Sequence, residues 1–478
     1  MRPLGVGLVY LEALESLFLE DNPDLSVLEL EPEGFWQKVV GTGASDTVKY
    51  VPNRQVMARI ARLPQHKLLH SVGFPVGGSV SYDREHVAPL ATEAIAFDAS
   101  WVSEHLSFNA FEVDGAVEQA GFLLPPRQTC GGVQTAVRSI RRIASELPVP
   151  FAFETGVNYL QPRSDEMPDG EFFASVAEAA DCGILLDLHN LWVNERNGRQ
   201  PVHEVLAALP LDRVWEVHLA GGMMLGDYYL DAHSDTISPL LLAIAGDVLP
   251  RLPNLGAVMF EILPSYLPRV GLDRVRDELA VLNGLWRLRP AQCVRVQRQA
   301  VAIPEGAETP PDVAVWERVL GMLAVGHSCG RAPDEDRAVA RDRGIAIWRT
   351  LINEGRDGRI ARAMRFTMTL LLRGLGPKAV HDLLHDYHAN TFPDVYTGSE
   401  ADRFAVYLVG RLPTLPRVPF LKEVLAFEHA LVRAALYGAS SRVEWDVDPS
   451  ELFDALEAGR PIAGRRIPRV AMDIVPEG

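Results

Sequence analysis

The sequence predicts an α/β protein: a (β/α)8 TIM barrel followed by a mostly α-helical C-terminal domain. Three observations predict it. Apolar runs of four to eight residues recur eight times within the first 290 or so residues, as buried parallel strands do. Segments of helical periodicity separate them. The span suits a barrel of about 250 residues, whereas eight strands would be many for a doubly wound sheet, and no GxGxxG turn follows the first run.

Taken in order, the expected strands are Gly5–Tyr10, Val27–Leu30, Leu68–Phe74, Trp101–Phe108, Pro150–Phe153, Gly183–Leu188, Val214–Leu219 and Ala257–Leu263. The first has no small-residue cleavage site and runs at once into Glu12 and Glu15, so it reads as a strand and not a signal peptide. Thr135–Leu147 and Phe172–Ala180 carry the clearest helical spacing. The pattern changes at a Pro/Gly/Glu-rich stretch, Val301–Pro311. This sets the expected domains: barrel 1–294, linker 295–311 and helical domain 312–478. Helical periodicity then recurs in Val313–Val325, Ile345–Ile352, Ala361–Leu372, Val380–His388, Ala401–Leu412 and Val424–Tyr437. Arg442–Val475 reads as extended, a small strand pairing.

Charge and cysteine usage narrow the function. The chain holds 46 basic and 63 acidic residues, a net −17. Residues 296–478 hold 23 and 25 of these, so the first 295 hold 23 and 38, a charge of −15. So acidic a barrel argues against a nucleic-acid backbone as ligand, which Lys and Arg would have to neutralise. It suits a site that collects cations, although acidity also serves solubility alone. No apolar run approaches the ~18 residues of a membrane helix. Cys130, Cys182, Cys293 and Cys329 form no CxxC pair and no disulfide framework, which fits a reducing, cytoplasmic setting.

The chemistry lies at the strand ends. His70 falls on the third expected strand and His105 on the fourth, Glu154 closes the fifth, and Asp187 ends the sixth with His189 and Asn190 behind it. His218 ends the seventh, Asp231 and His233 follow in the next loop, and Glu261 ends the eighth. Carboxyl ends of barrel strands are where active sites are built. Any one such residue is more often a cap or solvent-facing group than a ligand. A ring of them is costly to bury unless cations compensate it. About five imidazoles and four carboxylates exceed what one metal uses, so the set predicts two or three metals. Mixed N/O donors without thiolate suit iron, manganese or zinc.

Other groups are weaker. Glu31 and Glu33 either face the same site or lie in a solvated loop; Asn158 and Tyr159 either orient substrate or stabilise a loop. His381, His385 and His388 share a helical stripe, read as an exposed face. Cys130 reads as a bystander.

His70, Ser103-Glu104-His105-Leu106, Glu154, Asp187 with Asn190, His218-Leu219-Ala220-Gly221, Asp231-x-His233 and Glu261 resemble the multinuclear non-heme iron-dependent oxidases, among them the methanobactin biosynthesis oxidase. The resemblance covers about residues 1–290. It implies a barrel of the xylose isomerase and endonuclease IV type, binding two or three irons through His70, His105, Glu154, Asp187, Asn190, His218, Asp231, His233 and Glu261. It further implies that O2 is the co-substrate, that a ribosomally made precursor peptide is rewritten at a side chain (Cys, alternatively Asp or Asn), and that Glu154, Asp231 and His233 are catalytic. The chain departs from the family's usual pattern at Thr155, His189 and Ile262-Leu263. Tyr387–Pro393, Leu415–Leu421 and Phe427–Ala430 resemble the separate partner proteins of these oxidases. This implies a fusion whose C-terminal domain binds the precursor and makes a separate partner dispensable.

Two other readings share the ligand order. One is a trinuclear zinc phosphodiesterase of the endonuclease IV type, with the −15 charge against a DNA substrate. The other is a divalent-metal sugar isomerase.

Overall fold

The structure, a computed structural model, describes residues 1–41, 48–82, 84–291, 310–328, 338–462 and 466–476. Residues 295–309 of the expected linker, and Cys293 and Cys329, lie outside them. Eight parallel strands close into a barrel: β1 (Gly5–Val9), β2 (Val27–Leu30), β3 (His66–Ser71), β4 (Val102–His105), β5 (Phe151–Glu154), β6 (Gly183–Asp187), β7 (Val214–Ala220) and β8 (Ala257–Glu261). They pair in sequence order, with β8 closing on β1. This is the TIM barrel expected from the alternation, followed by a mostly helical part.

Each strand buries both faces, so apolar residues run through it instead of alternating with polar ones. The barrel floor is plugged by Leu4, Leu68, Trp101, Trp215 and Met259. Parallel register sets the rim: His105 lies beside Glu154, Asp187 beside His218, and Ala220 beside Glu261. Ligand candidates on neighbouring strands are therefore lateral neighbours at one height.

Three antiparallel hairpins interrupt the strand–helix alternation, Trp36–Val40 with Val48–Pro52, Phe108–Val113 with Ala116–Leu124 and Met223–Leu225 with Tyr228–Leu230. Two expected strands are corrected. The run Trp101–Phe108 divides into β4 and the start of the second hairpin. The run Leu68–Phe74 stops at Ser71, after which Gly73 packs against the imidazole of His86 so closely that a Cβ would collide.

Beyond the linker come helices Pro311–Ala324, Gly344–Ala363, Arg365–Leu375, Pro377–Asn390, Thr397–Arg411 and Leu421–Tyr437. Ser441–Val447 pairs antiparallel with Arg466–Ile474 around the helix Pro449–Glu457. The barrel's apolar core continues through Trp316, Leu320, Trp348 and Ile352, and a second core begins at Ile360. Gly344–Ala363 thus contributes to both.

Candidate metal centre

The rim brings the expected residues together. His70 Nε2 and His105 Nε2 each lie 3.0 Å from the same oxygen, Glu154 Oε2. On the other side His218 Nδ1 lies 3.2 Å from Glu261 Oε2, and His233 Nε2 lies 2.8 Å from Asp231 Oδ1 and 3.6 Å from Glu261 Oε2. Four ligand-sized groups result: His70 with His105 and Glu154; Glu154 with Asp187 and His218; Asp187 with His233 and Glu261; and, beneath the rim, His218 with Glu29 and Glu216. They share members, so they form one continuous basin. His189 adjoins it, with Nε2 3.6 Å from Asp231 Oδ1.

Do these residues fit a metal? Glu154 Oε2, Asp187 Oδ2, His218 Nδ1, Asp231 Oδ1, His233 Nε2 and Glu261 Oε2 are all buried atoms that make no well-aligned hydrogen bond, and five of them meet only as the ion pairs just given. Buried polar atoms are rarely left so, and six facing one another call for cations. The remaining atoms are held. Ser103 Oγ lies 2.9 Å from His70 Nδ1, and Glu104 Oε1 lies 3.2 Å from His105 Nδ1. Asn190 donates from Nδ2 to Glu154 Oε1 and from its backbone to Asp187 Oδ1. Thr155 Oγ1 accepts the Asp187 N–H at 3.0 Å. Fixed outer atoms and free inner atoms are the arrangement of a metal cage. The donor set fits.

Electrostatics agree. Burial alone would raise the Glu154 carboxyl, yet His105 and His70 hold it down at about 2. Burial alone would lower His105, yet Glu154 and Glu104 raise it to about 9. Asp187 is raised by burial, then by Glu154, Glu261 and Asp231 around it. Burial pushes His189 down to about 4, which leaves it neutral and able to accept a metal.

The structure adds residues the sequence reading missed. Glu29, two-thirds along β2, accepts from His218 Nε2 at 3.0 Å, and Glu216 lies 3.7 Å from the same nitrogen while accepting from the Trp101 indole at 2.8 Å. Both carboxylates are fully buried in the barrel interior, where apolar side chains are usual. Their signal was visible: a Glu inside an otherwise apolar strand. Glu31 faces the centre and is raised by burial, with His70 and Glu261 among its charged neighbours. Glu33 turns away, toward Ser71 and His86. Tyr159 does not orient a ligand directly; its hydroxyl accepts the Asp231 N–H at 3.0 Å. His381 and His385 are exposed, but His388 is buried against Asp357 at 3.1 Å, which corrects the reading of all three as one exposed face. Cys130 is exposed at a helix start, away from the centre.

A cavity of about 280 Å3 opens onto these ligands. Val72, Leu106, Phe122, Pro126 and Val157 give it an apolar wall, and among the described residues no lysine or arginine lines it.

A (β/α)8 barrel with adjoining His and carboxylate clusters able to hold metal at the carboxyl rim is the class that fold and site define. Within it, the chain belongs to the family described as RiPP precursor modification enzyme MbnB/TglH/ChrH, whose model matches residues 5–270. RiPPs are ribosomally made peptides modified after translation. Similar curated proteins are named only UPF0276. One from Chromobacterium violaceum is 30% identical over 52% of this chain and 83% of its own length. One from Neisseria meningitidis is 31% identical over 50% and 82%. One from Anaeromyxobacter sp. is 30% identical over 40% of this chain and 66% of its own. Among solved structures, D-psicose 3-epimerase from Clostridium cellulolyticum covers 60% of this chain and all of its own length at 12% identity and a TM-score of 0.39.

Proposed function

We propose that this chain is a multinuclear iron-dependent oxidase that uses O2 to modify a side chain, cysteine or else aspartate or asparagine, of a ribosomally made precursor peptide. The observation that carries the reading is the convergence of carboxylate and imidazole atoms that make no well-aligned hydrogen bond at the mouth of a half-apolar cavity, in a member of a RiPP-modifying family. His70, His105 and Glu154 would hold one metal, and Asp187, Asp231, His233 and Glu261 another, with His218 between them and Asn190 at the edge. Iron bound there supplies a Lewis acid for a substrate thiolate or carboxylate and a site for O2 reduction.

The chain's own residues do the rest. Asn190 fixes the carboxylates of Glu154 and Asp187, and Thr155 holds the Asp187 backbone, so little reorganisation accompanies turnover. The apolar wall excludes water from the reacting side chain. A lining whose described residues include no Lys or Arg suits an uncharged or anion-donating peptide side chain. We assign precursor binding to residues 312–478, whose tethering would raise the peptide's effective concentration at the cavity and make a separate partner dispensable. We place the reaction in the cytoplasm.

The test is incubation of the iron-loaded full chain with the short peptide encoded beside it, with and without O2. Mass spectrometry is expected to show an O2-dependent mass change on one residue of that peptide. An unchanged peptide, beside release of phosphate-ester products from a diester substrate, would replace this reading with the phosphodiesterase.

A further inference from the structure

The centre has two unequal halves. His70, His105, Glu154, Asp187, His218 and Glu261 sit on barrel strands, and the backbone ladder fixes their Cα atoms. Asp231 and His233 sit on a loop. They are 19% and 21% exposed, close to the 18% of His105 on its strand, whereas Glu154 and His218 are at 4% and 1%. His233 adopts φ 41°, a left-handed conformation that costs a β-substituted residue energy and persists only where its surroundings enforce it. Within the barrel part the Leu263 N–H holds the His233 carbonyl at 2.9 Å and the Ser234 N–H bonds to Gly221 O at 2.7 Å, so it is the Asp231 end of the arm that calls for a brace from beyond the strands.

The helical part supplies it. Asp342 accepts the Gln161 N–H at 2.9 Å. Gly344 packs so closely on the Tyr159 carbonyl that a Cβ would collide. Arg343 reaches Asp227, in the hairpin Met223–Leu225/Tyr228–Leu230 that leads into Asp231. Trp348 is fully buried, with ring centroids 4.8 Å from Tyr159 and 5.9 Å from Phe122 of the cavity wall. Its indole N–H has no hydrogen-bond partner, so the residue is present for its shape and not its polarity. Tyr159, itself buried, then passes this support to the arm through the Asp231 N–H.

We infer that the segment 342–348 is a built-in scaffold of the metal centre, in which Trp348 and Tyr159 are positioning residues for the Asp231–His233 arm. The inference rests on the metal-centre reading above. It differs from peptide binding by the helical part, because it acts on metal occupancy with no peptide present.

The experiment is anaerobic calorimetric titration of the metal-stripped full chain with Fe2+, comparing wild type, Tyr159→Phe, Trp348→Ala and Trp348→Phe, with circular dichroism to check the fold. Tyr159→Phe removes one oxygen and keeps the ring. It is expected to weaken one metal position about 10–100-fold, the usual effect of losing an outer partner, while the others keep their affinity. Trp348→Ala is expected to do at least as much, and Trp348→Phe to restore most of the loss. Should Trp348→Ala fail to fold, Tyr159→Phe decides alone. Full wild-type affinity at every position in a folded Tyr159→Phe protein would overturn the inference, as would equal weakening of all positions. Absence of Fe2+ binding by the wild type would instead overturn the metal-centre reading, and the inference with it.

Discussion

His218 presents its two ring nitrogens to different surroundings: Nδ1 to Glu261 and the ligand basin, Nε2 to Glu29 and Glu216 beneath it. A carboxylate behind an imidazole fixes the ring and raises its basicity as a ligand. Glu29→Gln keeps the shape but exchanges the carboxyl that faces His218 Nε2 at 3.0 Å for an amide. It should lower metal affinity about 10–100-fold with the protein still folded. Elemental analysis after dialysis against a graded chelator checks this, and unchanged retention would free Glu29 of any part in the centre. The nine residues expected at the rim do come together there, seven of them found because strand ends mark the rim and Asp231 and His233 because their loop follows the seventh strand. Glu29 and Glu216 were not legible, because a lone Glu in an apolar run gives no clue to which strand it faces until the barrel closes. Glu31 and Glu33, two positions apart, show the same limit: one faces the metals and the other His86, a difference set by the short 3-10 turn Pro32–Phe35.

The helix Pro311–Ala324 docks on the barrel with a buried carboxylate at its contact. Glu317 accepts the Ser79 N–H at 2.7 Å, and burial raises its carboxyl to about 7 from an ordinary 4.5, despite those bonds. In the unfolded chain the group ionises near 4.5; in the folded chain it holds its proton up to about 7. Its contribution to stability is therefore complete below pH 4.5 and is lost as pH rises through 7. Glu317→Gln, which stays neutral, should remove this slope and raise the melting temperature at pH 8 more than at pH 5. Thermal melts at the two pH values measure it, and parallel behaviour of both proteins would contradict the assignment. Most elements were legible from periodicity. The three hairpins of the barrel part were not read, although Asp114-Gly115 of the second, with φ of 51° and 80°, is the dipeptide that a tight hairpin turn favours. The apolar run Trp101–Phe108 masked it, because a run that changes partners halfway has no break in composition.

On the scale of the whole molecule, barrel and helical part share more than a tether. Trp316 donates from its indole to Pro125 O at 3.0 Å and carries the Arg127 guanidinium on its face, while Pro393 packs on Gly121 of the cavity hairpin. The peptide-binding role proposed for the helical part and its support of the Asp231–His233 arm are thus compatible: one face grips the barrel and leaves the remainder for substrate. The sequence pointed to a second domain through its change of period but could not show this seam, since large apolar residues such as Trp348 look alike whether they fill their own core or a neighbour's. The central claim is that the rim holds several irons. Elemental analysis of full-length protein, purified without chelator from iron-supplemented cells, tests it most directly. The account predicts about two to three irons per chain with visible ferric absorption; stoichiometric zinc and no iron would contradict it.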